Sequence, residues 1–387
     1  MDGAEGRPSD LDRLLAGMRR RGLSRRRFLQ IAGMTPMAAF LAACSRRIGE
    51  GQGEQATSAP AGELEDELVI YNWAAYLNPD NVKAFEAEYG VTVHAEDFYE
   101  SNEEMLTRIQ AGASGYDLVA PTGYMVQIMK DEGLLLELDH SRIPNMANVD
   151  PQFTGLSFDP EMRYHMPKDW GTTGFGYLSK FVKEEMTSWA QFFDLGPTYS
   201  GKYTVLDSAP EVIGAGLKRL GHSYNTPNPD EVDEALALLV DLKPHIASIT
   251  SSQYRQLMGR ADTYVALGWN GDFFYVAEDQ PSVRYVIPDE GTEFWVDTWA
   301  IPASAPHPNL AQEFINWILT PERQGVESSY TYYASCVTGA QEHTDDAVAD
   351  DANIYPPSEV VERLEANNGD PEVLDLRNEA WRRFQAA

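Results

Sequence analysis

The chain has 387 residues, and its 60 acidic side chains against 30 Lys and Arg give a formal net charge of −30. A field of that sign makes nucleic acid a poor partner and attracts cations, although solubility or a salty milieu accounts for an acidic surface equally well. The composition, 43% hydrophobic and 11% aromatic, supports sizeable cores, whereas two cysteines, Cys44 and Cys336, cannot build a disulfide framework.

The first residues have the layout of a processed segment. A basic stretch containing the pair Arg25 and Arg26 precedes Phe28 and Leu29, and an apolar run of about thirteen residues, Ile31 to Ala43, ends at Cys44. That run is well short of the roughly 20 residues needed to span a bilayer. It has the n-region, h-region and small-residue cleavage site of an export signal, so residues 1–44 are set apart from the fold. The pattern looks like a twin-arginine translocation signal, and Leu41-Ala42-Ala43-Cys44 looks like a lipobox. Cys44 is then the first mature residue and carries the lipid, which holds the protein on a membrane without a spanning helix. It also leaves Cys336 without an intrachain partner. The first 44 residues carry eight arginines and four acids, so the mature part is near −34. Residues 45–64, poor in bulky apolar side chains, read as a flexible tether that reaches roughly 25 Å.

About 320 residues remain, enough for two domains of ordinary size. Leu68–Tyr71 reads as a buried strand. Asn78-Pro79 opens a helix that Gly90 closes, and Val91–Val93 begins the next strand. Ser101-x-x-Glu104 is a capping box before a helix. Tyr116–Val119 is a further strand, followed by a helix ending near Gly133. Such alternation indicates parallel βαβ units. A second set runs through a strand at 202–206, a helix to Gly221, a helix near Glu231–Leu242, and strands at Tyr264–Trp269, Arg284–Ile287 and Glu293–Ile301. Helices around Asn309–Leu319, Pro321–Tyr330, Ser358–Ala366 and Pro371–Phe384 complete the chain.

In open α/β sheets ligands bind beyond the carboxyl ends of strands. Those ends deliver Trp73 and Tyr76, then Thr122 and Tyr124, then Asp207, Ser208 and Glu211, then Trp269 and Asp272, and finally Trp295 and Asp297. Aromatic rings and carboxylates converge there. A linear polyamine, with methylenes between ammonium groups, needs flat apolar walls and several carboxylates. Each residue also has a plainer reading: a tryptophan is often core, and Asp207 or Asp272 suits a helix N-cap. Glu211 suits a first helical turn. Asp297, inside an apolar alternating strand, is the hardest to read as structural.

The segments Tyr71-Asn72-Trp73-x-x-Tyr76, Tyr99-Glu100-Ser101-Asn102-Glu103, Tyr116-Asp117-Leu118-Val119-x-Pro121, Trp269-Asn270-Gly271, Phe294-Trp295-x-Asp297 and Asn316-Trp317-Ile318-Leu319 resemble the spermidine/putrescine-binding proteins of ABC importers. The resemblance runs from about Leu68 to the C-terminus. It implies an α/β, two-lobe periplasmic-binding-protein-like (type II) fold with a hinge and a ligand cleft between the lobes. By matching position, Trp73, Tyr76, Thr122 and Tyr124 line one side of the cleft, and Glu211, Trp269, Asp272, Trp295 and Asp297 the other side and the hinge. Asp272 matches the acid that takes a terminal amine of a diamine. Tyr333 matches a cleft tyrosine, with the register through Tyr330–Tyr333 open. Ser208 stands where spermidine binders similar to this chain carry an acid, and Ala74 and Ala75 replace polar residues, so the choice of polyamine stays open.

The expected organisation is therefore residues 1–44 as signal and 45–64 as tether. Residues 65–171 with 297–340 form the N-terminal lobe, and 172–296 with 341–387 the C-terminal lobe. Gly171–Gly174 and Trp295–Asp297 are the expected crossings, the former equally readable as a glycine-rich turn. The expected function is an exported, membrane-anchored monomer that captures a polyamine, closes around it and presents it to the permease subunits of an ABC importer, with no cofactor or metal. No Gly-x-Ser-x-Gly elbow, phosphate loop or His-Glu-x-x-His motif points to an enzyme. The rival readings are the same fold holding a sugar, an amino acid or a metal chelate, and a sensor in place of a transport component.

Overall fold

The computed structural model describes residues 62–112 and 115–387. The expected signal, with Arg25, Arg26 and Cys44, and the tether up to residue 61 lie outside the described residues. Strand β1 (Glu67–Trp73) pairs in parallel with β2 (Thr92–His94), β3 (Phe98–Tyr99) and β4 (Leu118–Val119). Leu68, Ile70 and Tyr71 are wholly buried, as a strand covered on both faces requires. The punctuation between strands is local chemistry. Asn78 accepts from the Asp80 N–H at 2.9 Å, Pro79 opens the helix Pro79–Tyr89, and Gly90 ends it at φ 70°. Ser101 accepts from the Glu104 N–H at 3.1 Å, but the Glu104 carboxylate reaches back to the Glu100 N–H at 2.9 Å, one residue earlier than in the usual box. The strand expected from Tyr116 starts only at Leu118, because the Asp117 carboxylate is occupied by the N–H groups of Val69 and His307, both at 2.7 Å.

The second sheet is built on β5 (Met166–Leu178), whose thirteen residues are all buried. With β6 (Tyr203–Val205), β7 (Ile246–Ile249), β8 (Val265–Trp269), β9 (Val283–Val286), β10 (Glu293–Trp299), β11 (Ala334–Ser335) and β12 (Glu365–Ala366), it gives the order β12-β10-β5-β8-β6-β7, with β9 and β11 also on β5. Residues 166–172 of β5 pair with β10 and 173–178 with β8 and β9, so one strand serves two neighbourhoods. Gly171–Gly174 is thus the middle of a strand, not a turn. Glycine is needed there because neighbours press on the backbone. A Cβ would lie 2.4 Å from Trp295 Cζ2 at position 171, 2.3 Å from the Val286 carbonyl oxygen at 174, and 2.1 Å from Phe273 Cε1 at 176.

The cores divide on either side of this strand. One gathers Phe175, Trp189, Leu217 and Val265 with Trp381 and Phe384 of the last helix. Another gathers Leu68, Phe85, Trp299 and Phe314 with Cys336, Val348 and Ile354, beside a smaller cluster around Tyr71, Tyr99 and Met125. The result is a two-lobe α/β fold. The helix expected over Ser358–Ala366 is instead one turn, Ser358–Val361, followed by β12. There the Glu365 N–H joins the Thr292 carbonyl at 3.0 Å and its carboxylate takes Lys218 at 2.6 Å, which draws the chain onto β10.

Strand propensity favours Ala over Gly by about 0.5–1 kcal/mol, yet the contact at Gly174 is with rigid backbone. Gly174→Ala should therefore destabilise by roughly 1–3 kcal/mol, read as a lower denaturant midpoint at unchanged slope.

Candidate functional site

A single cavity collects the strand ends. Its empty volume is about 920 Å³, the open mouth included. The turn after β1 carries Ala75 at φ 56°, and Asn72 Nδ2 holds the Tyr76 carbonyl at 3.2 Å, so Tyr76 folds back beneath Trp73. Tyr333 follows Tyr332, the left-handed residue (φ 59°) that ends the helix Pro321–Thr331. Its ring packs edge-on against Tyr76 (5.6 Å between centroids) and Trp295 (4.9 Å), and Trp73 and Trp269 complete the aromatic wall.

Asp297 sits on β10 directly opposite Asp169 of β5. Its two oxygens accept from Thr122 Oγ1 at 2.6 Å and Tyr76 Oη at 2.8 Å, and Tyr76 Oη is also 2.5 Å from Asp169. Asp169 in turn accepts from Lys168 Nζ, which lies 3.5 Å from the centre of the Tyr76 ring. Among the described residues Asp297 forms no ion pair of its own. Burial, followed by repulsion from Asp169, pushes its carboxyl from an ordinary 3.8 to about 7. Burial and the same two carboxylates push the Tyr76 phenol well up, so it keeps its proton.

The helix Asn270–Asp279 begins at the end of β8 and carries Asp272 in its first turn. Asp272 accepts from Tyr254 Oη at 2.5 Å and Tyr333 Oη at 3.3 Å, and pairs with Arg255 Nη1 at 3.3 Å. Burial raises its carboxyl against the opposing pull of Arg255. The third group of acids is Glu211, which accepts from Ser208 Oγ, and Glu293, which accepts from Thr173 Oγ1 at 3.3 Å. Burial, then the charge of Glu211, pushes Glu293 from 4.5 to about 8, with Arg377 acting in the opposite sense.

The cavity is lined by Trp73, Tyr76, Thr122, Tyr124, Glu211, Trp269, Asp272, Trp295, Asp297 and Tyr333, so the ten residues singled out in the sequence share one space. Asp207 does not: it is exposed, and Gln385 Nε2 approaches it at 3.4 Å. Of the four residues Tyr330–Tyr333, Tyr333 faces the cavity, while Tyr332 stacks on Phe274. Glu293, Arg255, Tyr99 and Tyr275 line it as well and were not anticipated. Glu293 opens its strand instead of following one, and Arg255 lies on a short helix, Tyr254–Gly259, that begins only after a further turn beyond β7.

Comparison with known proteins agrees with this architecture. The chain is 31% identical over 331 residues to the spermidine/putrescine-binding periplasmic protein of Escherichia coli, covering 85% of this chain and 94% of that one. It is structurally similar to a spermidine/putrescine ABC transporter protein from Listeria monocytogenes, with TM-score 0.77, 32% identity, and coverage of 83% of this chain and 99% of that one. A similar likeness holds to the Tp0655 (TpPotD) lipoprotein of Treponema pallidum, with TM-score 0.74, 29% identity, and coverage of 82% and 99%. The family described as bacterial extracellular solute-binding protein matches residues 81–356, and with a two-lobe fold around one cavity the chain belongs to that family.

Proposed function

We propose that this protein captures a polyamine between its two lobes and presents it to an ABC importer. The observation that carries the reading is Asp297: a buried carboxylate, held by two neutral hydroxyls and without a cation of its own, against an aromatic wall. An ammonium group supplies the missing charge and methylenes suit the rings. The relatives point the same way, since the names of the Escherichia coli and Listeria monocytogenes proteins contain spermidine and putrescine. The residues favour binding over catalysis, because the acids are held by hydroxyls or a cation around one aromatic wall, an arrangement suited to a cationic guest. Lobes of 65–171 with 297–340, and of 172–296 with the C-terminal helix, would close on the ligand through β5 and β10. The ligand favours closure only by its greater affinity for the closed state. Segment 341–361, which contributes Val348 and Ile354 to the core of Leu68, Phe85 and Trp299, travels with the N-terminal lobe in this proposal. Export through Arg25 and Arg26 and lipidation at Cys44 would hold the monomer at the membrane, beside the permease; the Treponema pallidum relative is itself a lipoprotein.

Isothermal titration of the purified full-length protein with putrescine, spermidine, spermine and neutral sugars tests this. One amine should bind one-to-one and the sugars not at all. Asp297→Asn should weaken that amine about 30-fold or more, as expected when one partner of a buried charge pair is lost at about 2 kcal/mol or above. Trp269→Ala should cost about tenfold. A folded protein silent toward every amine would overturn the proposal.

The protonation of the empty site gives a second prediction. With Asp297 at about 7 and Glu293 at about 8, both acids hold protons in mildly acidic solution. An arriving ammonium binds the ionised forms and expels those protons. Affinity should therefore rise from about pH 6 to about pH 8.5, by up to about tenfold per pH unit for each proton displaced. Titrations in buffers of different ionisation enthalpy should register the release, and Asp297→Asn should remove part of it.

A further inference from the structure

The acids of the cavity are not equally available. Asp272 already has a cation: Arg255 lines the same cavity, pairs with it at 3.3 Å, and lies 5.4 Å from the Tyr275 ring centre, which fixes its plane. A guanidinium stays charged at any physiological pH, so this occupant does not leave by deprotonation. Both Asp272 oxygens also accept tyrosine hydroxyls. Among the described residues Glu211 and Glu293 have no cation in contact; Arg377 of the last helix, whose Nη2 donates to the Tyr224 carbonyl, acts on both at longer range. Arg377 is 1% exposed, its Nε and Nη1 have no hydrogen-bond partner among the described residues, and its charge acts on both acids. Among the described residues Asp297 has no cation in contact, since Lys168 pairs with Asp169 and reaches Asp297 only at longer range; Glu327, bound by Asn78 and Asn81, lies outside the cavity. Glu100 is exposed to solvent and counts for little. Among the described residues Asp272 is the one of these four enclosed carboxylates with a cation in contact, and with Arg377 counted at longer range two negative charges are left over, one at Glu211 and Glu293 and one at Asp297.

Resting on the polyamine reading above, we propose that Arg255 sets the charge of the ligand: by occupying Asp272 it leaves a site matched to a dicationic diamine and selects against tri- and tetra-amines. A third ammonium would have to take Asp272 from the guanidinium or lie beside it unpaired. Either course is a repulsive element aimed at longer polyamines, which is how a binding site rejects a ligand that contains the correct one as a fragment.

The test is the ratio of putrescine to spermidine affinity, measured by titration calorimetry on the full-length protein and on Arg255→Met and Arg255→Lys, with melting temperature recorded for each. The wild-type protein should bind putrescine at least tenfold more tightly than spermidine. Arg255→Met should move the ratio at least tenfold toward spermidine, whereas Arg255→Lys, which keeps the charge, should hold the wild-type order. Spermidine binding equal to or tighter than putrescine in the wild type would overturn the inference, as would a folded Arg255→Met protein whose ratio stays within twofold. Both of these results leave the polyamine reading standing. Absence of binding to any amine would remove that reading and the inference with it. Should Arg255→Met fail to fold, the wild-type ratio and the lysine variant still decide.

Discussion

One hydroxyl proton shared between two buried carboxylates sets the terms for the rest of the cavity. Tyr76 Oη lies within hydrogen-bond distance of both Asp169 and Asp297, and it has one proton to give. If both acids are ionised, one of those contacts sets lone pairs against lone pairs. Lys168 relieves the Asp169 side by direct contact. The Asp297 side is relieved either by a proton or by a cation from outside, and burial, then the charge of Asp169, pushes its carboxyl up against the opposing pull of the Thr122 and Tyr76 hydroxyls. Burial alone would make such an acid a liability. Placed beside rings that welcome a cation, it becomes a binding group with a defined sign.

The backbone that holds this arrangement is shared between the lobes. Asp169 and Asp297 face each other because β5 and β10 are antiparallel, with a register shift immediately after Asp297. Thr122, beyond β4, reaches the same carboxylate through a bridge to Asp297. The acid thereby ties the first sheet to the strand pair that runs between the cores. Close approach across β5 requires glycine at 171, 174 and 176, so the packing that positions Trp295 and Phe273 is bound up with the strand that carries Asp169.

That same strand marks where sequence reasoning stops. β1, the Asn78-Pro79 and Ser101 helix starts and the strand of Asp297 were legible because alternation, caps and β-branched runs are local signals. The strand Met166–Leu178 contains Pro167, Lys168, Asp169 and three glycines, each of which argues locally against a strand, and tertiary packing overrides them all. The stretch 358–366 erred in the other direction, since helical periodicity there yields to Glu365 bonding across to Lys218 and Ser223. The acids and rings at strand ends could be found by a rule about where ligands sit. Arg255 and Glu293 could not, because their place depends on how a short helix and a strand start are carried across the cavity, which spacing along the chain does not encode.

The resident cations explain how a strongly acidic cavity exists at all. Lys168 and Arg255 pair with carboxylates at or behind the wall and Arg377 acts on Glu211 and Glu293 at longer range, and without them the desolvation of five acids would be borne by protonation alone. Full compensation would be as unhelpful, because a neutral cavity has no differential attraction for a cation over water. The balance falls between these limits: enough positive charge is built in to keep the empty fold tolerable, and enough negative charge is left to require a guest. The number left over is then a property of the fold as much as of the acids. It changes whenever a side chain such as Arg255 is gained or lost.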